Sequence, residues 1–494
     1  MEKSNLEADV TSAMHVKRGW KLQKTRSPIL IVVESALLLA LVVLSFSSVS
    51  EFFPSKKLTS TSHLEDAIST VKWWKCRGGA DDPWAECGYL VAPLDYFDSS
   101  AGSAYIALSR YPATVHPRKG MVLFNPGGPG TFLLFDYAVF KRNTVLERSY
   151  DVPSNISREE ARKILVQQQR EADALLKTQF EVCKKNMGEQ LKNMGTSTVV
   201  RDIDFITKKL EGEDALINFF GGSYGTILGQ YLVNMLPDRL GRVAIDGVAD
   251  APSWASKPYY QWYRQWMSST SDTYEIFLRR CSEVGPSVCA LAQAKGEDPE
   301  DIKTRIENFF DSLYYEPLPA SDGSLPSILT IGRARSETFP LSGPMQRLMP
   351  FSVFLLDSLE SPRSWIEAAK AISDAMKGNA TTIINAFGFQ LRDLERSAVS
   401  CNDNRPFTPP APETVIDEAL DVFQEVSRLV FSVFTTEPDG GCQYWPVTPP
   451  ERFEGPWNHT LRNPILIVSN TVRMAALIHC VAVSVLTSCR FFSG

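Results

Sequence analysis

Five residues near the middle of the chain, Gly221-Gly222-Ser223-Tyr224-Gly225, have the types and spacing for nucleophilic chemistry. A serine hydroxyl is a poor nucleophile until a base takes its proton, and it must stand clear of the backbone to be reached. A sharp turn between a strand and a helix presents it in that way. Glycines two before and two after the serine let strand and helix approach closely. The apolar run at 215–220 supplies the strand, and 226–232, stopped near Pro237, reads as the helix. In that context Ser223 is the candidate nucleophile. The alternative is a glycine-rich turn carrying an ordinary serine.

Attack on a carbonyl creates an oxyanion, which needs two backbone N–H groups aimed at it. One is expected from Tyr224, the residue after the nucleophile. The other is expected from a glycine loop after an earlier strand. Here the apolar stretch 121–124, read as a buried strand, leads into Asn125-Pro126-Gly127-Gly128-Pro129-Gly130. Proline stiffens such a loop and glycine removes the Cβ that would block a substrate, so Gly127 or Gly128 is the second donor expected. A plain surface turn is the competing reading.

The base must be sought among five histidines: His15, His63, His116, His459 and His479. In elbow-type hydrolases the order along the chain is serine, acid, histidine, with the histidine after the last strand. The last strand reads at 464–468, and only His479 follows it. An incidental histidine in an apolar tail is the alternative. No Asp or Glu occurs from Gly455 to Gly494. Asp246, at the end of the short strand 242–247 after the elbow, is then the best remaining acid, against a structural carboxylate closing that turn. No cluster of His, Cys and Asp has metal-ligand spacing, so neither metal nor cofactor is expected.

The elements that must position these groups alternate. Ser157-Arg158-Glu159-Glu160 reads as a capping box opening a helix to about Cys183. Val200, Ile203, Ile206 and Leu210 form one face of a second helix. Residues 88–96 and 104–109 read as a hairpin around the turn at 98–102. Strands alternating with helices imply a mostly parallel sheet covered on both faces. Residues 251–400 are helix-rich and open on Trp254, Tyr259, Tyr260, Trp262, Tyr263 and Trp266, which are either core or the substrate-facing wall of a cap. Residues 405–412 are a proline-rich linker. The 494 residues are 44% hydrophobic and 22% charged, enough for a large core and an accessory domain. A net charge of -6 carries no basic footprint for nucleic acid.

The N-terminus suggests a compartment. Lys17, Arg18, Lys21, Lys24 and Arg26 precede 21 residues, 29–49, with the single charge Glu34. That length spans a bilayer, and the basic flank stays cytoplasmic, so the body is expected in the lumen or outside. A cleaved signal peptide is the alternative. Three sequons, at Asn155, Asn379 and Asn458, all follow the run. In that compartment the neighbours Cys76/Cys87 and Cys281/Cys289, and also Cys401/Cys442, are candidate disulfides. Nine cysteines leave one thiol over if the rest pair. The organisation expected is a basic tail (1–28), a signal anchor (29–49), a stalk (50–70), a first hydrolase part (71–250), a helical cap (251–400) and a C-terminal hydrolase part (401–494).

The elbow text Gly-Gly-Ser-Tyr-Gly-Thr and the loop text Asn-Pro-Gly-Gly-Pro-Gly together resemble the tripeptidyl-aminopeptidase-like branch of the prolyl aminopeptidase family. These are α/β-hydrolases of the secretory pathway, frequent in fungi and actinobacteria, and a fungal member is the expectation. Glu86-Cys87-Gly88 with Val91-Ala92-Pro93-Leu94-Asp95-Tyr96, Ile245-Asp246-Gly247-Val248, Cys401 before Asn402-Asp403, and Cys442 before Trp445 resemble the same branch. The likeness runs from about Trp73 to Asn470. It implies an α/β-hydrolase fold with a helical cap and Ser223 as nucleophile. It also implies an oxyanion hole at Tyr224 and the Gly127–Gly128 loop, with an acid and a histidine after the last strand. The activity implied is an aminopeptidase-type peptidase working through an acyl-enzyme on a peptide, with a small ester or amide as the other substrate class. An esterase, or a hydrolase-fold protein without turnover, are the rivals.

Two features depart from that pattern. The family's strand ending in Phe-Asp-Pro-Arg-Gly has no counterpart after the glycine loop, where Tyr150-Asp151-Val152 passes straight to Pro153-Ser154-Asn155. The family's Asp-Pro-x-Thr-Pro text after the last strand is also missing, and Ile467-Val468-Ser469-Asn470-Thr471 runs into Val472-Arg473-Met474. Ile478-His479-Cys480 resembles the family's Gly-His-Cys, yet His479 follows Thr471 by only eight residues. The tail reads as though a block holding the acid had been removed.

Overall fold

Residues 86–93 and 103–110 alternate in burial, as strands of a two-faced sheet do. Strands β1 (Lys72–Lys75), β2 (Glu86–Pro93) and β3 (Ser103–Arg110) form an antiparallel sheet in that order. The computed structural model describes residues 71–76, 84–125, 127, 152–321, 326–335, 355–360, 362–386, 394–430, 440–469 and 482–488. The expected hairpin is β2–β3, with Leu90 opposite Ile106. Strand β1 lies where the sequence turns β-like, from Trp73. It pairs along β2, and the Cys76–Cys87 disulfide closes its end.

The capped helix α1 spans Arg158–Met187, and Ser157 Oγ accepts the Glu160 N–H at 3.2 Å. Its buried positions Ala161, Leu165, Ala172, Leu176, Phe180 and Cys183 recur at helical spacing and form one stripe. Helix α2 (Thr196–Glu211) buries Val200, Ile203 and Ile206. Then come β4 (Leu123–Asn125), earlier in the chain, β5 (Ile217–Gly222), α3 (Tyr224–Met235) and β6 (Leu240–Asp246). The helical stretch that follows includes α4 (Ala251–Ser256), α5 (Thr270–Val284), α6 (Pro299–Tyr315), α7 (Trp365–Met376), α8 (Leu394–Asp403) and α9 (Pro412–Glu425). Strands β7 (Thr460–Ser469) and β8 (Ala482–Ser488) complete the central sheet.

The central sheet has the order β8-β7-β6-β5-β4. Strands β4 to β7 run parallel and β8 is antiparallel to β7. Phe219 and Val243 are register partners, and both are buried, as is Ile465. Helix α3 sits close on that face because Gly229 has no side chain: a Cβ there would lie 2.6 Å from Ile245 Cγ2. The opposite row, Phe124, Phe220, Ala244 and Leu466, behaves differently. Phe124 is 64% exposed, and its ring stacks on Phe220 at 5.5 Å. The strand at 121–124 is therefore not buried as expected. Among the described residues β4 pairs only with β5 and forms the edge of the sheet.

The aromatic cluster that opens the helical stretch is core. Trp254, Tyr259, Trp262 and Tyr263 are buried, and Trp254 stacks on Trp262 at 5.0 Å. Helix α9 lies along α1, and Arg162 grips Asp417 with two hydrogen bonds of 2.6 and 3.0 Å. The three expected disulfides, Cys76–Cys87, Cys281–Cys289 and Cys401–Cys442, are formed. Cys183 is the free cysteine among the described residues, and burial pushes its thiol up to about 11, so it is inert. No helix among the described residues is long and apolar enough to cross a membrane. The run at 29–49 lies outside them.

Tyr96 ties the antiparallel sheet to α2 by donating to Asp202 Oδ1 at 2.7 Å. Burial raises the Asp202 carboxyl from 3.8 to about 7. The folded protein thus holds this proton more tightly than the unfolded chain does. The corresponding stability is fully present below about pH 4 and is lost as pH rises through about 7. Asp202→Asn should remove that slope. Relative to wild type, the variant should gain stability steadily between those limits, at up to about 1.4 kcal/mol per pH unit. Urea unfolding at stepped pH measures this, and parallel curves for the two proteins would contradict it.

Candidate active site

Ser223 has φ 52° and ψ −122°, and it is the only non-glycine residue with positive φ among the described residues. Such a backbone costs roughly 1–3 kcal/mol and persists only where its surroundings enforce it. Here they do. The Ser223 N–H donates to Asp246 O at 3.2 Å, and Ser223 O accepts both the Thr226 N–H at 2.8 Å and the Thr226 hydroxyl at 2.7 Å. Thr226 Oγ1 in turn accepts the Ala249 N–H at 3.0 Å, which pins the turn to the loop after β6. The flanking glycines are sterically required. A Cβ on Gly221 would lie 2.1 Å from Gly225 O, and one on Gly225 would lie 2.4 Å from Asn125 O.

Two segments converge on Ser223 from different directions. Tyr224 is the first residue of α3, where an N–H has no intrahelical acceptor and the helix end favours negative charge. Gly127 comes over Ser223 from β4. With φ 119°, it packs so close that a Cβ would lie 2.8 Å from Ser223 Cβ. Its own N–H donates to Asn125 Oδ1 at 2.9 Å, so it shapes the loop from within. Gly128 lies outside the described residues. Asn125 is a residue the sequence reading passed over, although Asn before Pro-Gly is a known signal for a side chain that closes its own turn.

Asp246 ends β6 with its Cα opposite Gly222 on one side and Val468 on the other. Among the described residues its carboxylate has no hydrogen-bond or ion-pair partner. His479 lies outside the described residues. His459 sits by Asn234, with Nδ1 3.3 Å from its Oδ1, near the far end of α3. Eleven residues of helix separate it from Ser223, roughly 16 Å. His116 precedes β4 and so lies at the end of that strand remote from the elbow. The sequon residues Asn155, Asn379 and Asn458 are all exposed.

Behind the elbow lies a polar group that the sequence did not announce. Asp403, at the end of α8, is buried, and its carboxylate accepts the Thr196 N–H at 2.6 Å and the Trp254 indole N–H at 2.8 Å. The Thr196 hydroxyl also donates to it. Burial raises the Asp403 carboxyl to about 6, against the pull of these donors. Among the described residues no group of His, Cys, Asp and Glu is arranged to hold a metal ion.

No family model matches the chain. Characterised relatives do. Over 419 residues the chain is 25% identical to proteins called serine protease Hip1 from Mycobacterium tuberculosis and Mycobacterium bovis, covering 77% of this chain and 75% of theirs. Over 223 residues it is 30% identical to a tripeptidyl aminopeptidase of Streptomyces lividans, covering 40% of this chain and 41% of that one. Together with the mixed α/β sheet, these relatives support a serine hydrolase, a peptidase of the α/β-hydrolase type.

Proposed function

We propose that the chain is a membrane-anchored aminopeptidase-type serine peptidase of the secretory pathway, with Ser223 as nucleophile. The observation that carries this is the strained backbone of Ser223, enforced by Asp246, Thr226, Gly221 and Gly225. His479 takes the hydroxyl proton as Ser223 Oγ bonds to the peptide carbonyl carbon. The carbonyl oxygen becomes an oxyanion held by the N–H groups of Tyr224 and Gly128. Collapse expels the amine, which takes the proton back from His479 and leaves the acyl-enzyme for water to hydrolyse. Asp246 is the best remaining acid to orient His479, a poor substitute for one placed after the last strand, and residues 251–400 form the cap over the site. The test is release of an N-terminal peptide from a peptide amide by the full chain. Ser223→Ala should bring the rate down to background, and an unchanged rate would remove Ser223 from the reaction.

A second reading, impaired turnover, is favoured by one observation: Gly455 to Gly494 contains no carboxylate side chain. Whatever the turnover, we assign the body to the lumenal or extracellular side, anchored through 29–49 and glycosylated at Asn155, Asn379 or Asn458. Exposure of all three asparagines supports this. Glycosidase treatment of membrane-extracted protein should increase its mobility on a gel. An unshifted band, with the body cleaved by protease from the cytoplasmic side, would reverse the topology.

A further inference from the structure

We propose that Asp403 is a positioning residue for the oxyanion site: acting through Thr196, it fixes the side chain of Tyr224 and so the N–H that faces the oxyanion. The inference rests on the reading of Ser223 as nucleophile. Thr196 Oγ1 lies 2.6 Å from the Tyr224 hydroxyl. A threonine hydroxyl has one proton, and that of Thr196 goes to Asp403. At the 2.6 Å contact the phenol must therefore be the donor. The result is a directed chain, Tyr224 to Thr196 to Asp403, joining α3, α2 and α8. Burial, with the Asp403 charge second, holds the Tyr224 phenol far above its usual range, so it stays a donor throughout the working pH range.

The ends of this chain explain its use. Tyr224 follows the strained nucleophile directly and opens α3, so the backbone that carries its side chain also carries the N–H aimed at the oxyanion. Trp254 holds the other side of the arrangement: its indole donates to Asp403 and its ring packs on Tyr224 at 6.1 Å. A buried carboxylate is costly unless fully bonded. Among the described residues Asp403 meets three donors and no cationic side chain bonds to it, for the nearby Arg452 donates instead to Asn402 O at 3.0 Å. A carboxylate accepts only, so every donor that faces it is fixed in direction. That sets the orientation of Thr196 and thereby of Tyr224.

The test is the rate at which a fluorophosphonate forms an adduct on Ser223, per folded molecule, in the full chain. Tyr224→Phe and Asp403→Asn should each slow the reaction about tenfold. The double variant should be no slower than the slower single one, because both changes break the same chain. Thr196→Ala should slow it similarly and Thr196→Ser, which restores the hydroxyl, should not. A purely structural role would lower the melting temperature and leave the rate per folded molecule unchanged. If Asp403→Asn does not fold, the Tyr224→Phe and Thr196 variants decide. Wild-type rates in Tyr224→Phe and Thr196→Ala, or multiplying effects in the double variant, would overturn the proposal while leaving Ser223 as nucleophile. Absence of any adduct on Ser223 in the wild type would overturn both.

Discussion

Inserting a loop that carries an aspartate between Thr471 and His479 should raise kcat/KM on an N-terminal peptide amide by roughly 10³ or more. Without a partner carboxylate, an imidazole is neither held in the useful tautomer nor stabilised once protonated. Replacing that carboxylate in a well-studied protease lowers kcat by about 10⁴. The chain offers no acid after β7, and only eight residues separate Thr471 from His479. A displaced base adds to the loss, since a misplacement of about 1 Å near the chemistry can cost 10²-fold. Oxyanion stabilisation and binding still leave residual catalysis. The assay compares the chain with the repaired version. Equal kcat/KM would show that a substitute acid already works. Asp246 is then the residue to change next, because it ends the strand between the elbow and β7.

Gly225→Ala should destroy the elbow. The added Cβ would lie 2.4 Å from Asn125 O, a backbone atom of the neighbouring strand. Backbone cannot step aside without breaking the β4–β5 pairing that carries the oxyanion loop to Ser223. Overpacking of this kind costs about 3 kcal/mol or more. Gly229→Ala on the same helix makes the control. Its Cβ would meet side-chain atoms only, Ile245 Cγ2 at 2.6 Å and Phe219 Cε1 at 3.2 Å, which can shift where backbone cannot, so the cost should be lower, about 1–2 kcal/mol. Thermal melts of the two variants should rank in that order, with labelling of Ser223 lost only in Gly225→Ala. The reverse ranking would mean that α3 does not lie against β4 as described.

Legibility followed the range of the interactions. The elbow could be read because its requirements are local: glycines at fixed offsets, a strand before and a helix after. The Cys76–Cys87 and Cys281–Cys289 bridges close over 11 and 8 residues, so proximity alone suggested them. The Ser157 cap was legible for the same reason. Asp403 was not, because its partner Thr196 is 207 residues away and nothing in Asn402-Asp403 marks a buried carboxylate. Phe124 misled in the other direction. An apolar run implies burial only if another element covers it, and among the described residues none pairs beyond β4. The aromatic cluster from Trp254 to Tyr263 left two readings open, and burial decided for the core. His479 and Gly128 were named from pattern alone and lie outside the described residues.

The central claim is that Ser223 is the nucleophile, and the most direct measurement is the site of covalent attack. The full chain is incubated with a fluorophosphonate, digested and mapped by mass spectrometry. The account predicts one adduct, formed slowly, on the serine of the peptide bearing Gly222-Ser223-Tyr224, and none in Ser223→Ala. An adduct on another serine, or equal labelling of the Ser223→Ala protein, would contradict it.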